Sequence, residues 1–234
     1  MAADPFAEHD RGALAWPGET YGLSVRGVPL RVWLPPHRDS PSVLVFATIH
    51  GNEPEGTVVL SAALRAVLPT ELACAVVLCA NPDGAMLGVR CNAHGVDLNR
   101  NFPARNWGPP PPGELSTGTH PGSEPETQAL MALVDRLRPA AVVSVHGDLA
   151  CIDDPGATSL GAWMANRMGL PRVADIGYPT PGSFGSWCAE RKLPVVTLEL
   201  ERAGPQALRL RHGPTLAELL RGRPWLPDEE HQGG

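Results

Sequence analysis

Residues 43–53 read VLVFATIHGNE, and this stretch indicates both a fold class and a place for chemistry. Its first seven residues, Val43–Ile49, are uncharged and rich in β-branched side chains, which is typical of a strand buried in a parallel sheet. The run ends at His50 and Gly51, so a titratable side chain follows the strand at a turn. Because sites in open α/β sheets form at the carboxyl ends of strands, His50 is a candidate site residue.

Similar apolar runs recur along the chain and alternate with helical patterns. The other predicted strands are Cys74–Ala80, Ala140–Val145 and Pro194–Leu200, and the predicted helices are Gly56–Val67, Ser123–Leu137, Ser159–Met168 and Pro205–Leu220. This alternation predicts an α/β domain with a largely parallel central sheet flanked by helices on both faces. We expect a single domain over 1–234, with its core at about 20–221 and flexible ends at 1–15 and 222–234.

Composition argues against several classes of function. The 234 residues include 19 Lys and Arg and 25 Asp and Glu, a formal net charge of −6, whereas nucleic-acid binding relies on clustered basic side chains. The longest apolar runs are about seven residues, far below the roughly 20 that span a bilayer. The N-terminus does not resemble a secretory signal, and five cysteines without CxxC spacing suit free thiols in a reducing compartment. We therefore expect a cytoplasmic protein that binds neither nucleic acid nor membrane.

Two histidines and a carboxylate form a candidate metal site. Glu53 follows His50 by three residues across a turn, and His146 ends the predicted strand Ala140–Val145. If the two strands lie near each other in one parallel sheet, both imidazoles emerge at the same edge. Two His and one Glu leave a fourth position for water, which is the arrangement of a catalytic zinc site. The alternative is that these residues are surface or core side chains without a ligand.

Glu199 and a group of polar residues near Arg100 are candidates for catalysis and binding. Glu199 lies in an apolar strand, so it is either a general base that works near neutral pH or a carboxylate on the solvent face. Asn99 and Arg100 offer an amide and a forked cation that suit a substrate carboxylate. Arg90 could polarise a carbonyl or stabilise an oxyanion, and turn chemistry with surface arginines is the alternative for all three.

Taken together and in order, these motifs resemble the zinc carboxypeptidase superfamily over roughly residues 40–202. The motifs are HGNE at 50–53, Arg90 followed by GVDLNRNF at 95–102, SEPET at 123–127, VHG at 145–147 and TLEL at 197–200. The resemblance implies an eight-stranded, mixed sheet flanked by helices. It also implies one Zn²⁺ per chain, with His50, Glu53 and His146 as its ligands.

The resemblance further implies a role for each remaining candidate. Glu199 would be the general base and later the general acid, Arg90 would polarise the scissile carbonyl, and Asn99 with Arg100 would bind the terminal carboxylate of the substrate. Digestive carboxypeptidases use a mobile tyrosine a couple of dozen residues before the catalytic Glu. Tyr178 lies 21 residues before Glu199 in a loop rich in Gly and Pro, where it would contact substrate or anchor the loop.

Three further segments narrow the resemblance to a substrate class. NPDG at 81–84, LACIDDP at 149–155 and TPGSFGSWC at 180–188 look most like cytoplasmic amidases of peptidoglycan recycling. The implied reaction is hydrolysis of the γ-D-Glu–meso-diaminopimelate bond in free murein tripeptide. This small peptide is the expected partner, and both a monomer and a homodimer remain open.

The side chain of diaminopimelate carries a second amine and a second carboxylate, and a specific pocket should hold groups complementary to both. A substrate that lacks these groups would leave the pocket's buried polar groups unpaired and would therefore be rejected. The candidates to bind the distal amine are Asp148, Asp153, Asp154 and Glu190. For one of the two consecutive aspartates, we favour a turn role before Pro155.

Three other functions fit parts of the sequence. N-acyl amino acid deacylases of the aspartoacylase and succinylglutamate desuccinylase type share HGNE and DLNR, but they usually add a β-rich C-terminal domain, and only 35 residues follow Glu199 here. A carboxypeptidase acting on ordinary L-peptides would differ only in its pocket. A non-catalytic muropeptide-binding module would keep the fold and commonly lose a metal ligand or the base. The intact set of candidate residues favours an enzyme.

Overall fold

The structure is a computed structural model that describes Leu14, residues 16–36 and residues 42–222. The ends that we predicted to be flexible, 1–15 and 222–234, lie outside the described residues except for Leu14 and Gly222. None of the helices in the described ranges has the length and hydrophobicity of a membrane span. The assignment of the whole chain to one domain stays a prediction.

Helices and strands alternate along the described residues, as the hydrophobic pattern predicted. The strands are β1 (Glu19–Leu23), β2 (Pro29–Val32), β3 (Val43–Ala47), β4 (Ala75–Val77), β5 (Ala141–Gly147), β6 (Cys151–Asp153), β7 (Arg172–Val173) and β8 (Val195–Leu200). The α-helices are α1 (Glu55–Arg65), α2 (Pro82–Leu87), α3 (Pro125–Leu137), α4 (Ser159–Met168), α5 (Phe184–Glu190) and α6 (Pro205–Leu220). All four strands and all four helices predicted from the sequence are therefore present.

The central sheet has six strands in the order β4-β3-β5-β8-β6-β7. The β6–β8 pair is antiparallel and the other four pairs are parallel, which confirms a mixed, largely parallel sheet. The expectation of one eight-stranded sheet is wrong for the described residues, because β1 and β2 form a separate antiparallel hairpin. The hairpin meets the sheet at a single antiparallel bridge between Trp33 and Val76. Pro35 and Pro36 follow after Leu34 and have no N–H to continue the pairing.

Two apolar layers cover the two faces of the sheet. Alternate residues of a strand point to opposite faces. Val43, Val45 and Ala47 of β3 belong to the core layer under α1, α4 and α6, whereas Leu44 and Phe46 belong to the layer under α3 and α5. All five side chains are fully buried. The uncharged run at 43–47 thus reflects burial on both faces.

The strand order brings the candidate site residues to one edge of the sheet. The strands β3, β5 and β8 are adjacent and parallel, so their carboxyl ends lie side by side. His50 follows the end of β3, His146 lies near the end of β5, and Glu199 of β8 is paired with His146 in the register of the sheet. The sheet thereby brings His50 and Glu199 to the same edge, although they are 149 positions apart in sequence.

Candidate active site

The two histidines and the carboxylate predicted to bind metal converge at this edge. One potential ligand atom of each of His50, Glu53 and His146 lies within 4.8 Å of the other two. His50 Nδ1 is 2.8 Å from Glu53 Oε1 and 3.2 Å from His146 Nδ1. His146 Nδ1 is in turn 3.1 Å from Glu53 Oε2. Both imidazoles are buried, with 4% and 6% of their residue surface exposed.

The electrostatics of these three residues favour a positive charge between them. Burial alone would raise the pKa of Glu53, but hydrogen bonds with His146 and His50 outweigh it and hold that pKa well below its usual range. Burial lowers the pKa of His146, and contact with His50 adds to this effect. Two imidazole nitrogens and a carboxylate, close together and buried, are ligands that suit zinc. The residues present therefore fit a zinc ion.

Asp97 contacts His50 on the side away from the other two candidate metal ligands. Its Oδ1 lies 3.4 Å from His50 Nε2 and accepts a hydrogen bond of 2.9 Å from the backbone N–H of Asn99. Its Oδ2 accepts a hydrogen bond of 2.8 Å from Arg90 Nε. Although burial would raise the pKa of Asp97, contacts with His50 and Arg90 hold it well below the usual range. A carboxylate that faces Nε2 favours a proton there and leaves Nδ1 of His50 able to bind metal.

Sequence reasoning did not identify Asp97 as a site residue. The residue lies in the GVDLNRNF motif, and it is the only carboxylate there. It also accepts from the N–H of Asn99 at the start of the short 3-10 helix Leu98–Arg100, which is ordinary turn chemistry. Because this local role accounts for the residue, the sequence gives no sign of its contact with His50, which lies 47 positions earlier in the chain.

Glu199 is buried beside the candidate metal ligands. Its residue surface is 7% exposed, so the alternative that it lies on a solvent-exposed face of the strand is wrong. Burial raises the pKa of Glu199 to about 7, and the nearby carboxylate of Glu53 contributes to the increase. Its Oε2 has no hydrogen-bond partner among the described residues. A carboxyl group with such a pKa can both accept and donate a proton near neutral pH.

Arg90, Asn99 and Arg100 lie close to the same centre. Arg90 Nη1 is 3.6 Å from Glu53 Oε1, and its side chain is 31% exposed. Asn99 Oδ1 accepts a hydrogen bond of 2.9 Å from the backbone N–H of Phe184, which fixes the orientation of the amide. Arg100 Nη1 donates to the backbone oxygen of Asn99 at 2.8 Å. Two guanidinium groups and an amide are thus held beside the imidazole pair.

All eight site residues predicted from the sequence line one cavity of about 570 Å³. They are His50, Glu53, Arg90, Asn99, Arg100, His146, Tyr178 and Glu199. The size lies within the usual range for a small-molecule site. Tyr178 is 48% exposed, and it also borders two neighbouring depressions in the surface. It therefore lies at the mouth of the cavity.

The four acidic residues that the sequence made candidates to bind the distal amine of diaminopimelate differ in their surroundings. Asp153 lines the cavity, whereas Asp154 is buried and accepts hydrogen bonds from Thr158 and Arg172. Asp148 forms an ion pair with Arg202. Glu190 accepts a hydrogen bond from the backbone N–H of Arg105. Asp154, rather than Asp153, thus has the structural turn role.

A family comparison agrees with the fold. The zinc carboxypeptidase family matches residues 19–155. The chain belongs to this family, which confirms the resemblance that the motifs indicated.

Several individual relatives match over nearly the whole chain. Murein peptide amidase A of Escherichia coli K12 is 46% identical over 231 residues, which cover 92% of this chain and 94% of the relative. The enzyme of the same name from Vibrio campbellii is 40% identical, covering 93% and 92%. The crystal structure of murein-tripeptide amidase from Escherichia coli O157 superimposes with a TM-score of 0.88 at 45% identity, covering 93% of this chain and 97% of that one. Carboxypeptidase A from Helicoverpa armigera shares the fold, with a TM-score of 0.69 at 16% identity and coverage of 87% and 68%.

Proposed function

We propose that this protein is a zinc-dependent amidase that hydrolyses the γ-D-Glu–meso-diaminopimelate bond of free murein tripeptide. The observation that carries the proposal is the convergence of His50, Glu53, His146 and Glu199 in one cavity. The relatives named murein peptide amidase and murein-tripeptide amidase, at 40–46% identity over nearly the whole chain, support this substrate class. Cytoplasmic peptidoglycan recycling, and a monomeric or homodimeric state, remain predictions.

Zinc would be held, one ion per chain, by His50, Glu53 and His146. A bound zinc ion would supply Lewis-acid polarisation of the scissile carbonyl and would lower the pKa of a water molecule in the site. Asp97 would orient the imidazole of His50 and increase its basicity.

Glu199 would act first as the general base and then as the general acid. In its ionised form it accepts a proton from the attacking water as the new C–O bond forms at the amide carbon. In its protonated form it donates that proton to the amine nitrogen of diaminopimelate as the C–N bond breaks. A pKa of about 7, which results mainly from burial, suits both steps at neutral pH.

The neighbouring polar groups would bind the substrate and stabilise the transition state. Arg90, held by Asp97, would donate hydrogen bonds to the oxygen that becomes negatively charged. Asn99 Nδ2 and the guanidinium of Arg100 would bind the carboxylate beside the released amine, and so would fix the scissile bond against the metal site. Tyr178 would contact the substrate at the mouth of the cavity.

Two alternative functions have less support. A deacylase of the aspartoacylase and succinylglutamate desuccinylase type would not account for the close similarity to the murein amidases along the chain. A non-catalytic muropeptide-binding module would not need a buried Glu199 without a hydrogen-bond partner at Oε2, since such a group costs stability.

Release of diaminopimelate from L-Ala-γ-D-Glu-meso-diaminopimelate tests the proposal directly. The zinc-loaded protein should release the free amino acid, which is measured by liquid chromatography with mass spectrometry. The variant Glu199→Gln should bind zinc and lose activity by roughly 10²- to 10⁴-fold. Glu190→Gln is a matched control: although the sequence made Glu190 a candidate to bind the distal amine, the structure places this carboxylate outside the cavity lining, on the backbone N–H of Arg105, so the variant should retain activity. Undiminished hydrolysis by Glu199→Gln would contradict the assignment of the base.

A further inference from the structure

The cavity contains one carboxylate that the proposed mechanism does not use. Among the described residues, the carboxylates that line it are Glu53, Asp153 and Glu199. Glu53 is a candidate metal ligand and Glu199 the candidate base, which leaves Asp153 without a role. Asp153 is the last residue of β6, on the far side of β8 from the imidazole pair.

The sheet register defines where Asp153 lies relative to Glu199. In the antiparallel pair of β6 and β8, Asp153 is opposite Thr197 and Cys151 is opposite Glu199. Residues directly opposite each other point to the same face, and so do residues two apart on one strand. Asp153, Thr197 and Glu199 therefore share a face, and all three line the cavity. Asp153 is displaced from Glu199 by two residues along the strand, or about 7 Å.

The surroundings of the Asp153 carboxylate favour a cation. No hydrogen bond or ion pair joins this carboxylate to another side chain in the part of the chain that the structure describes, although the residue is half-buried. Burial raises its pKa, and the carboxylates of Asp154 and Asp175 add to the effect. Arg172, the nearby guanidinium, is already paired with Asp154. A cationic group from a ligand would offset both the desolvation of the Asp153 carboxylate and its repulsion by Asp154 and Asp175.

The spacing fits the side chain of diaminopimelate. In this amino acid, four C–C bonds separate the carbon next to the scissile nitrogen from the distal carbon that carries the second amine. In an extended chain these bonds span about 5 Å, and the amine lies one bond further. This length is similar to the displacement between the candidate base and Asp153.

We propose that Asp153 determines specificity for the released residue, by accepting a charge-assisted hydrogen bond from the distal ammonium group of diaminopimelate. The inference rests on the proposed function, because it assumes that diaminopimelate leaves the site as the amine product. Asp153 is thereby a substrate-binding residue and takes no part in proton transfer.

A comparison of two peptides that differ only in the distal amine tests this proposal. The first is L-Ala-γ-D-Glu-meso-diaminopimelate, and the second carries L-2-aminopimelate, which lacks the distal amine and keeps the distal carboxylate. In the zinc-loaded enzyme, Asp153→Asn should lower kcat/KM for the first peptide by roughly 10- to 100-fold. For the second peptide it should change kcat/KM less than about threefold, because no ammonium is present to lose its partner.

Asp175→Asn serves as the matched control. It removes a neighbouring negative charge that does not line the cavity, and its side-chain oxygen can still accept from the N–H of Gly177. Because its charge acts on Asp153 only from outside the cavity, it should change the preference between the two peptides by less than about threefold, far less than Asp153→Asn does.

Equal losses on both peptides in Asp153→Asn, or undiminished activity on the diaminopimelate peptide, would overturn the inference while the proposed function stands. Failure of the unsubstituted enzyme to hydrolyse either peptide would instead overturn the proposed function and this inference with it.

Discussion

Replacement of Asp97 by asparagine should weaken zinc binding without removing any of the proposed ligands. The carboxylate lies 3.4 Å from His50 Nε2, 2.8 Å from Arg90 Nε and 2.9 Å from the backbone N–H of Asn99. Asparagine has nearly the same shape and retains one oxygen acceptor, so the turn at Asn99 can persist. It removes the negative charge that orients His50 and makes it more basic.

Loss of a carboxylate that contacts a metal-binding histidine typically lowers metal affinity 10- to 100-fold, or by about 1.4–2.7 kcal/mol. We expect a cost in the upper part of this range, because Asp97 is only 3% exposed and is therefore little screened by solvent. Activity at saturating zinc should also fall by about tenfold, since Arg90 loses the partner that holds its guanidinium.

Competition with a chelator of known affinity measures the zinc dissociation constant of each variant. Asp83→Asn is the control, because Asp83 is a buried carboxylate that accepts hydrogen bonds from Ser24 Oγ and the N–H of Arg26 and does not line the cavity. It should lower the free energy of unfolding and leave zinc affinity unchanged. A zinc dissociation constant of Asp97→Asn within threefold of that of the unsubstituted protein would show that Asp97 does not orient His50 for the metal.

Three further predictions concern Arg100, Glu199 and Tyr178. Arg100→Lys should raise KM for the tripeptide by roughly tenfold with a smaller effect on kcat, because an ammonium cannot form the forked pair with a carboxylate; steady-state kinetics measure both. Burial raises the pKa of Glu199 from 4.5 to about 7. Between these two pH values, Glu199 is protonated in the folded metal-free protein and ionised in the unfolded chain. The free energy of unfolding of the metal-free protein therefore falls as pH rises from 4.5 to about 7. Glu199→Gln should therefore stabilise the metal-free protein by about 2–3 kcal/mol at pH 8 and by little at pH 4, as measured by chemical unfolding; equal effects at both pH values would contradict the pKa assignment. Tyr178→Phe should lower kcat/KM less than about tenfold, mainly through KM, because its ring lies at the mouth of the cavity; a much larger loss of kcat would assign its hydroxyl a role in the chemistry.

The main elements of the fold could be predicted because burial leaves a clear pattern. The run Val43–Ile49 is apolar on both sides of the strand, and the structure buries both sides. The short strands β6 and β7 could not be predicted, because three and two residues show no periodicity and β6 ends in a carboxylate. The antiparallel placement of β6 against β8 depends on contacts distant in sequence, which no local pattern encodes.

The site residues could be predicted where strand ends determine their positions. His146 and Glu199 lie one residue before the ends of adjacent parallel strands and are paired in register, so the topology alone brings them together. The role of Asp97 could not be predicted, because its local role in a turn accounts for the residue without the distant contact to His50. The different roles of Asp153, at the end of β6, and of Asp154, just after it, depend on where each side chain points, and for Asp153 that requires the sheet register.

Anomalous diffraction at the zinc absorption edge, from crystals of the protein grown with zinc, locates the metal ion and its ligands. We expect one strong anomalous peak per chain, within bonding distance of His50 Nδ1, His146 Nδ1 and a carboxylate oxygen of Glu53, with Glu199 nearby but not bound to the ion. A peak coordinated by other residues, or no peak at this position in protein that hydrolyses the tripeptide, would contradict this expectation.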